Sequence, residues 1–200
     1  RGGKSLRIEA IRDVTAYKGA EALLERKVKE RTADLLHANR ALQVMLACNR
    51  MVLQAQNEEE MLQRVCATLV QVGGYKLSWV GYKVTDEEKS VRPVAQFGFE
   101  QGYIALLSVS WADNPRGRGP TGRAIRTGSA VACRDILNDP NFAPWRERAL
   151  ACGYASSIAL PLTLDGSVEG ALMCYASEPF AFDEDEIRLL GSLADDLSFG

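Results

Sequence analysis

Residues 154–177 read YASSIALPLTLDGSVEGALMCYAS, two apolar runs joined by Asp165-Gly166. An Asp-Gly pair between apolar runs suits the two-residue turn whose twist matches the strands on either side. This is the strongest hairpin signal in the chain, and it commits the chain to an antiparallel sheet. Residues 77–84 (LSWVGYKV) and 91–99 (VRPVAQFGF), separated by the polar stretch 85–89, form a second expected hairpin. SAVACRDI, from Ser129 to Ile136, supplies one more strand.

Helices are expected between and around these strands. Asn57 followed by Glu58, Glu59 and Glu60 is a helix start, with a capping side chain and acidic residues in the first turn. That helix should stop at Gly73-Gly74. Short helices are expected at 102–107, at TGRAIRTG up to Gly128, and in the DPNFAPWRERALACG stretch. FDEDEIRLLGSLADDLSF, starting at Phe182, reads as an amphipathic closing helix. The order predicts an α+β fold, an antiparallel sheet with helices packed on one face.

Upstream the pattern changes. From Ala16 to about Gln56 there is no proline, and Gly19 is the only glycine. Steps of four and three from Leu24 pass through Val28, Arg31, Leu35, Ala38, Leu42, Met45, Asn49 and Val52. Seven of these nine positions are apolar, the spacing of a heptad seam. It predicts a parallel two-chain coiled coil over at least residues 20–45 and a homodimer held through 18–55. A long amphipathic helix packed on its own domain is the alternative. Arg31 and Asn49 interrupt the seam, as polar residues that set register do. Before it, residues 5–15 alternate like a strand ending at Asp13-Val14-Thr15, with its partner strands elsewhere.

Composition removes several classes of function. With 46% apolar and 25% charged residues among 200, the chain is neither disordered nor wholly coiled coil. A net charge of −2 advertises no nucleic-acid surface. No run of residues has the length of a membrane span, so no direct membrane contact is expected of this stretch. Arg1-Gly2-Gly3 looks like a cut inside a longer chain, with no secretory leader in view. Five cysteines without a CxxC pair point to reduced thiols and a cytoplasmic protein.

Catalytic chemistry finds few parts. His37 is the only histidine and sits in the helical segment, so no Ser/His or Cys/His pair forms in the downstream domain. Cys66 and Cys174 lie in apolar stretches and read as small core residues, while no cysteine spacing suggests zinc. Asp113, Asp135, Asp139 and Glu147 stand mostly in loops, where Asp closes turns. Pro115 to Gly122 is Gly-rich and basic but lacks the Lys-Ser/Thr of a P-loop. An anion on its backbone amides stays open.

Three strings together resemble the GAF domain, the small-ligand sensory module of bacterial signalling proteins: GPTGRAIRTGSAVACRDI (119–136), the hairpin at 154–177, and FDEDEIRLLGSLADDL (182–197). The subgroup they resemble most occurs in histidine kinases and diguanylate cyclases. RIEAIRDVTAYKGAEALLERKVKERTADL, from Arg7, separately resembles the last strand and exit helix of a PAS domain. The resemblance implies a PAS remnant over 1–16, a signalling helix over 17–45 and a GAF domain over 46–200. It implies no catalytic activity in this stretch, with an output enzyme elsewhere.

The implied pocket lies between one sheet face and the loops over it, for a small molecule of unknown identity. Its walls would be Trp79, Trp111, Cys133, Asp135, Tyr154, Ser156, Met173 and Tyr175. Haem held by histidine is not expected, because 58–200 has no histidine. Covalent bilin is not expected either, since Cys133 precedes Arg134 and Cys152 precedes Gly153, where bilin carriers of the family commonly place His. The Asn-Lys-Phe-Asp-Glu set of cyclic-nucleotide-binding members is missing. Two alternatives stay open: a dimerisation spacer whose pocket is filled by its own side chains, and a cysteine-dependent methionine sulfoxide reductase using Cys133 and Cys152.

Overall fold

The period-two alternation of the two hairpins sorts side chains onto opposite faces of a sheet. In the computed structural model, which describes residues 17–21, 23–28, 31, 43, 44, 46, 57–99 and 101–198, that sheet has five strands. They are β1 (Leu77–Lys83), β2 (Val91–Gly98), β3 (Val131–Cys133), β4 (Ser156–Leu164) and β5 (Ser167–Ala176). Their spatial order is β2-β1-β5-β4-β3, with every neighbouring pair antiparallel. Asp165 and Gly166 turn the β4–β5 hairpin with φ of 50° and 77°, the left-handed pair expected of Asp-Gly.

The chain divides into two units, residues 1–40 and 41–200. The described residues of the first are helical, with Tyr17, Leu23, Leu24 and Val28 exposed. The strand expected at 5–15, His37, Cys48 and the seam beyond Arg31 lie outside the described residues.

In the second unit, α1 (Glu58–Gln71) begins where Asn57 Oδ1 accepts the Glu60 N–H at 2.9 Å. It buries Leu62, Val65, Cys66 and Leu69, a stripe at helical spacing. The closing helix α4 (Glu184–Ser198) buries Leu190, Leu193, Ala194 and Leu197 in the same way. Both stripes meet Val80, Ile158, Leu160, Leu172 and Cys174 on one face of the sheet. Val44 joins this core, while Leu46 is exposed. Two tyrosine hydroxyls tie the helices down, Tyr75 donating to Glu186 and Tyr82 to Glu58.

The short helices depart from the expected arrangement. Here α2 (Pro120–Thr127) and α3 (Arg146–Ala151) cover the opposite face, with the 3-10 turns Ile104–Leu106 and Pro140–Phe142. The sheet is apolar on both sides and needs cover on both, so helices on one face alone would leave the other exposed. No described helix is long and apolar enough to cross a membrane.

Leu69 is fully buried between α1 and the sheet. Leu69→Ala should destabilise the protein by about 2–5 kcal/mol, read as a lower urea midpoint. Leu106→Ala, at an exposed position, should stay within about 0.5 kcal/mol of the parent.

Candidate functional site

The register lays out the face away from α1 and α4 as two rows. Trp79, Met173, Ala159 and Val131 are successive cross-strand partners in one; Leu77, Tyr175, Ser157 and Cys133 in the next. Tyr103 and Tyr154 pack on Tyr175, with ring centroids 5.7 and 4.9 Å from it. Tyr154 donates its hydroxyl proton to the Phe99 carbonyl.

Over Met173 and Tyr175 lies a cavity walled by Leu107, Val109, Gly119, Pro120, Thr121, Phe142 and Trp145. The cavity has room for about one water. Trp145 closes it. A Cβ added at Gly119 would stand 2.5 Å from Trp145 Cζ3, so the absent side chain is what seats the indole. The Trp145 indole N–H donates to the Ser108 carbonyl at 3.3 Å, and its ring meets Phe142 edge-on at 5.7 Å. Thr121, in the first turn of α2, donates its hydroxyl to Met173 Sδ at 3.1 Å.

The arginines around this face are engaged in building it. Arg126 donates to the carbonyls of Trp111, Ala112 and Gly117 at 3.1, 2.8 and 2.7 Å, folding the 110–118 loop. Arg146 donates to the Ile136 and Asp139 carbonyls at 3.1 and 2.7 Å. Arg116 donates to Ser108 Oγ at 2.9 Å, and Arg118 pairs with Asp113 at 2.9 Å.

Burial governs the titratable groups. It pushes the Cys133 thiol up to about 12, helped by the neighbouring Asp139 carboxylate. Burial likewise raises Tyr175 to about 12, opposed by Tyr103 and Trp79, whose polar hydrogens face its oxygen. Tyr103 is driven far above the phenol range by burial, then by Tyr175. All three are neutral at ordinary pH.

The eight expected wall residues separate into groups. Met173 and Tyr175 line the cavity, while Trp79, Cys133 and Tyr154 belong to the same buried cluster without lining it. Ser156 stands on the other face, in line with Ile158 and Leu160, and donates to the Glu178 carbonyl at 2.6 Å. Its neighbour Ser157 has the pocket-side position, the one-residue offset that reverses a strand's faces. Asp135 closes a turn, accepting the Leu137 N–H at 3.0 Å and the Asn138 amide at 2.6 Å. Trp111 is half-buried and latches the loop to the β1–β2 hairpin, donating to the Val84 carbonyl at 3.0 Å under the Lys89 ammonium. Tyr103, Phe142 and Trp145 were not singled out from sequence. The available signal was Gly119, a bare backbone beside which a large ring fits. No group of three or more metal-ligating residues occurs among the described residues.

Two results should follow. Gly119→Ala should unseat Trp145, red-shifting tryptophan emission and increasing acrylamide quenching. Because the folded Cys133 thiol holds its proton more tightly than the ordinary value of 9.0, its stabilising effect is full below that pH and lost as pH rises towards 12. Cys133→Ala should therefore show a shallower alkaline fall in urea midpoint than the parent.

The family model described as GAF domain matches residues 55–200. No curated protein matches the chain. Among solved structures, the free methionine-R-sulfoxide reductase of Neisseria meningitidis, in complex with its substrate, is similar at 22% identity and a TM-score of 0.63, over 80% of this chain and 88% of that one. The GAF domain of A. aeolicus nlh2, in an inactive state, is similar at 18% identity and a TM-score of 0.63, over 82% and 96%. The GAF domain of a phosphoenolpyruvate-protein phosphotransferase from Coxiella burnetii is similar at 18% identity and a TM-score of 0.63, over 80% and 92%.

Proposed function

The chain belongs to the GAF domain family, and from that premise we propose that it is a sensory module of a bacterial signal-transduction protein. It binds a small molecule over Met173 and Tyr175 and passes the change to helices on the far side of the sheet. The observation that supports this reading is the division of labour between the two faces. One carries α1 and α4 on a filled apolar core; the other carries loops and short helices around a small cavity with the Trp145 indole in its wall.

In this reading the ligand favours an arrangement in which Trp145 has left its seat. Only a ligand with different affinities for the closed and open arrangements can shift their populations. Residues 18–55 pair as a parallel homodimer, with the exposed Leu24 and Val28 on the seam. A PAS domain upstream and a histidine kinase or diguanylate cyclase as output complete the proposed cytoplasmic protein.

Two other readings each have an observation in their favour. The small size of the cavity favours a dimerisation spacer whose pocket is filled by its own side chains. The shared burial of Cys133 and Cys152 in one cluster favours a sulfoxide reductase, in which two thiols become a disulfide as sulfoxide becomes sulfide and water. The thiolate is the nucleophile in such a step, and burial of Cys133 opposes its formation.

Native mass spectrometry of protein purified from its own host, set against the denatured mass, tests the sensor reading. The expected result is a dimer carrying a non-covalent adduct that is lost on denaturation. A bare dimer supports the spacer, and thiol-dependent turnover of free methionine sulfoxide, abolished by Cys133→Ser, supports the reductase.

A further inference from the structure

Strand β2 ends the sheet, so the outer edge of its backbone has no further strand to pair with. A side chain of α1 takes that place. Gln63 donates its Nε2–H to the Gln96 carbonyl at 2.7 Å and accepts the Gln96 N–H on Oε1 at 3.3 Å. One amide thus answers both outward groups of one residue, as a neighbouring strand would. The 3.3 Å bond is the longer of the two and the first to give.

With both backbone groups turned outward, Gln96 forms a non-hydrogen-bonded pair with Trp79, its cross-strand partner on β1. Side chains come closest in pairs of that kind, with Cβ atoms about 4.5–5.5 Å apart. Both side chains therefore lie on the face that carries the cavity. There the Gln96 Oε1 is buried and has no hydrogen-bond partner. Folded proteins seldom leave such an acceptor unpaired, because it forfeits its interaction with water for nothing. The donor beside it is the Trp79 indole N–H, which can only donate and is turned onto the Tyr175 oxygen instead. Tyr175 lines the cavity. One indole proton thus stands between two acceptors, one in the cavity wall and one on the residue that α1 holds.

We propose that Trp79 is a two-position hydrogen-bond switch between the cavity and α1. In the structure its N–H serves Tyr175 and leaves Gln96 Oε1 vacant. In the second position a displaced Tyr175 gives up the N–H, and Gln96 Oε1 accepts it. That bond draws the Gln96 side chain towards β1 and loosens the 3.3 Å bond between its backbone and Gln63. Each position gives the indole one acceptor, so a small displacement decides between them. Coupling between separate sites is carried by elements with two discrete arrangements of this kind. The inference rests on the sensor reading above and names the device that joins its pocket to α1.

The test uses the full chain without ligand. Tyr175→Phe removes the oxygen and keeps the ring, so it should throw the switch. Hydrogen exchange of the backbone amide at position 96 should then quicken roughly fivefold. The Trp79 indole proton, identified by its loss in Trp79→Phe, should keep a downfield, hydrogen-bonded NMR resonance. In Gln96→Met the second acceptor is missing. Adding Tyr175→Phe to that variant should leave exchange at position 96 unchanged and move the indole proton upfield. Tyr175→Phe should also lower the melting temperature more in Gln96→Met than in the parent. Equal exchange at position 96 in Tyr175→Phe and the parent overturns the inference, and so do additive melting shifts for the pair. If the native mass shows an adduct while these measurements fail, the inference falls and the sensor reading stands. A bare dimer in which the indole proton changes acceptor removes the sensor reading and upholds the switch.

Discussion

Strand β5 is the member on which the rest of the domain depends. It pairs with β1 on one side and β4 on the other, so the two hairpins become one sheet only through it. Its alternation then divides the interior. Leu172, Cys174 and Ala176 point into the core under α1 and α4, while Ala171, Met173 and Tyr175 point into the core under the loops. A residue inserted into β5 would exchange the two sets and put Tyr175 against α4. Cavity and helical cover are thus opposite consequences of one strand's period.

That dependence explains how much was legible beforehand. The Asp165-Gly166 turn, the Asn57 cap and the Gly73-Gly74 stop are local signals, each resolved by a few bonds between near neighbours, and each appears where the residues suggest. The pairing of β1 with β5 is set by no local string, since residues far apart in the chain meet there. The wall residues show the same boundary. Met173 and Tyr175 follow from alternation within a long strand, but Ser156 sits one position from the right face, because the strand's start is where a period-two assignment is least constrained. Trp111 and Asp135 carry polar chemistry in loops, and both direct it at the backbone, Trp111 at the Val84 carbonyl and Asp135 at the Leu137 N–H. Trp145 is not legible as a wall residue because its seat is made by Gly119, more than twenty residues earlier, a steric relation that composition does not reveal.

The two faces also differ in how they treat polar groups. On the helix side, tyrosine hydroxyls at both ends of the packing find carboxylates in the first turns of α1 and α4, Glu58 and Glu186. Acidic residues are favoured in a helix's first turn by the backbone dipole, so these contacts hold the helices where their ends are already suited to the charge. On the pocket side, the Tyr103 hydroxyl and the Trp79 N–H are turned onto the Tyr175 oxygen, so these polar groups answer one another beneath the loops and not a charge at a helix end.

These two properties meet in β5, and together they give the proposed sensor a physical route. A molecule that separates Trp145 from Gly119 presses on Met173 and Tyr175. Their strand neighbours Leu172 and Cys174 are packed against the helix side, so β5 cannot move without its second face moving. Cores at crystalline density do not absorb such a shift by local compression. The displacement goes instead to the elements that close the far core, α1 and α4, as a slide or rotation of whole helices. A signal carried by β5 would thus reach α1 and α4 together, since both close the same core.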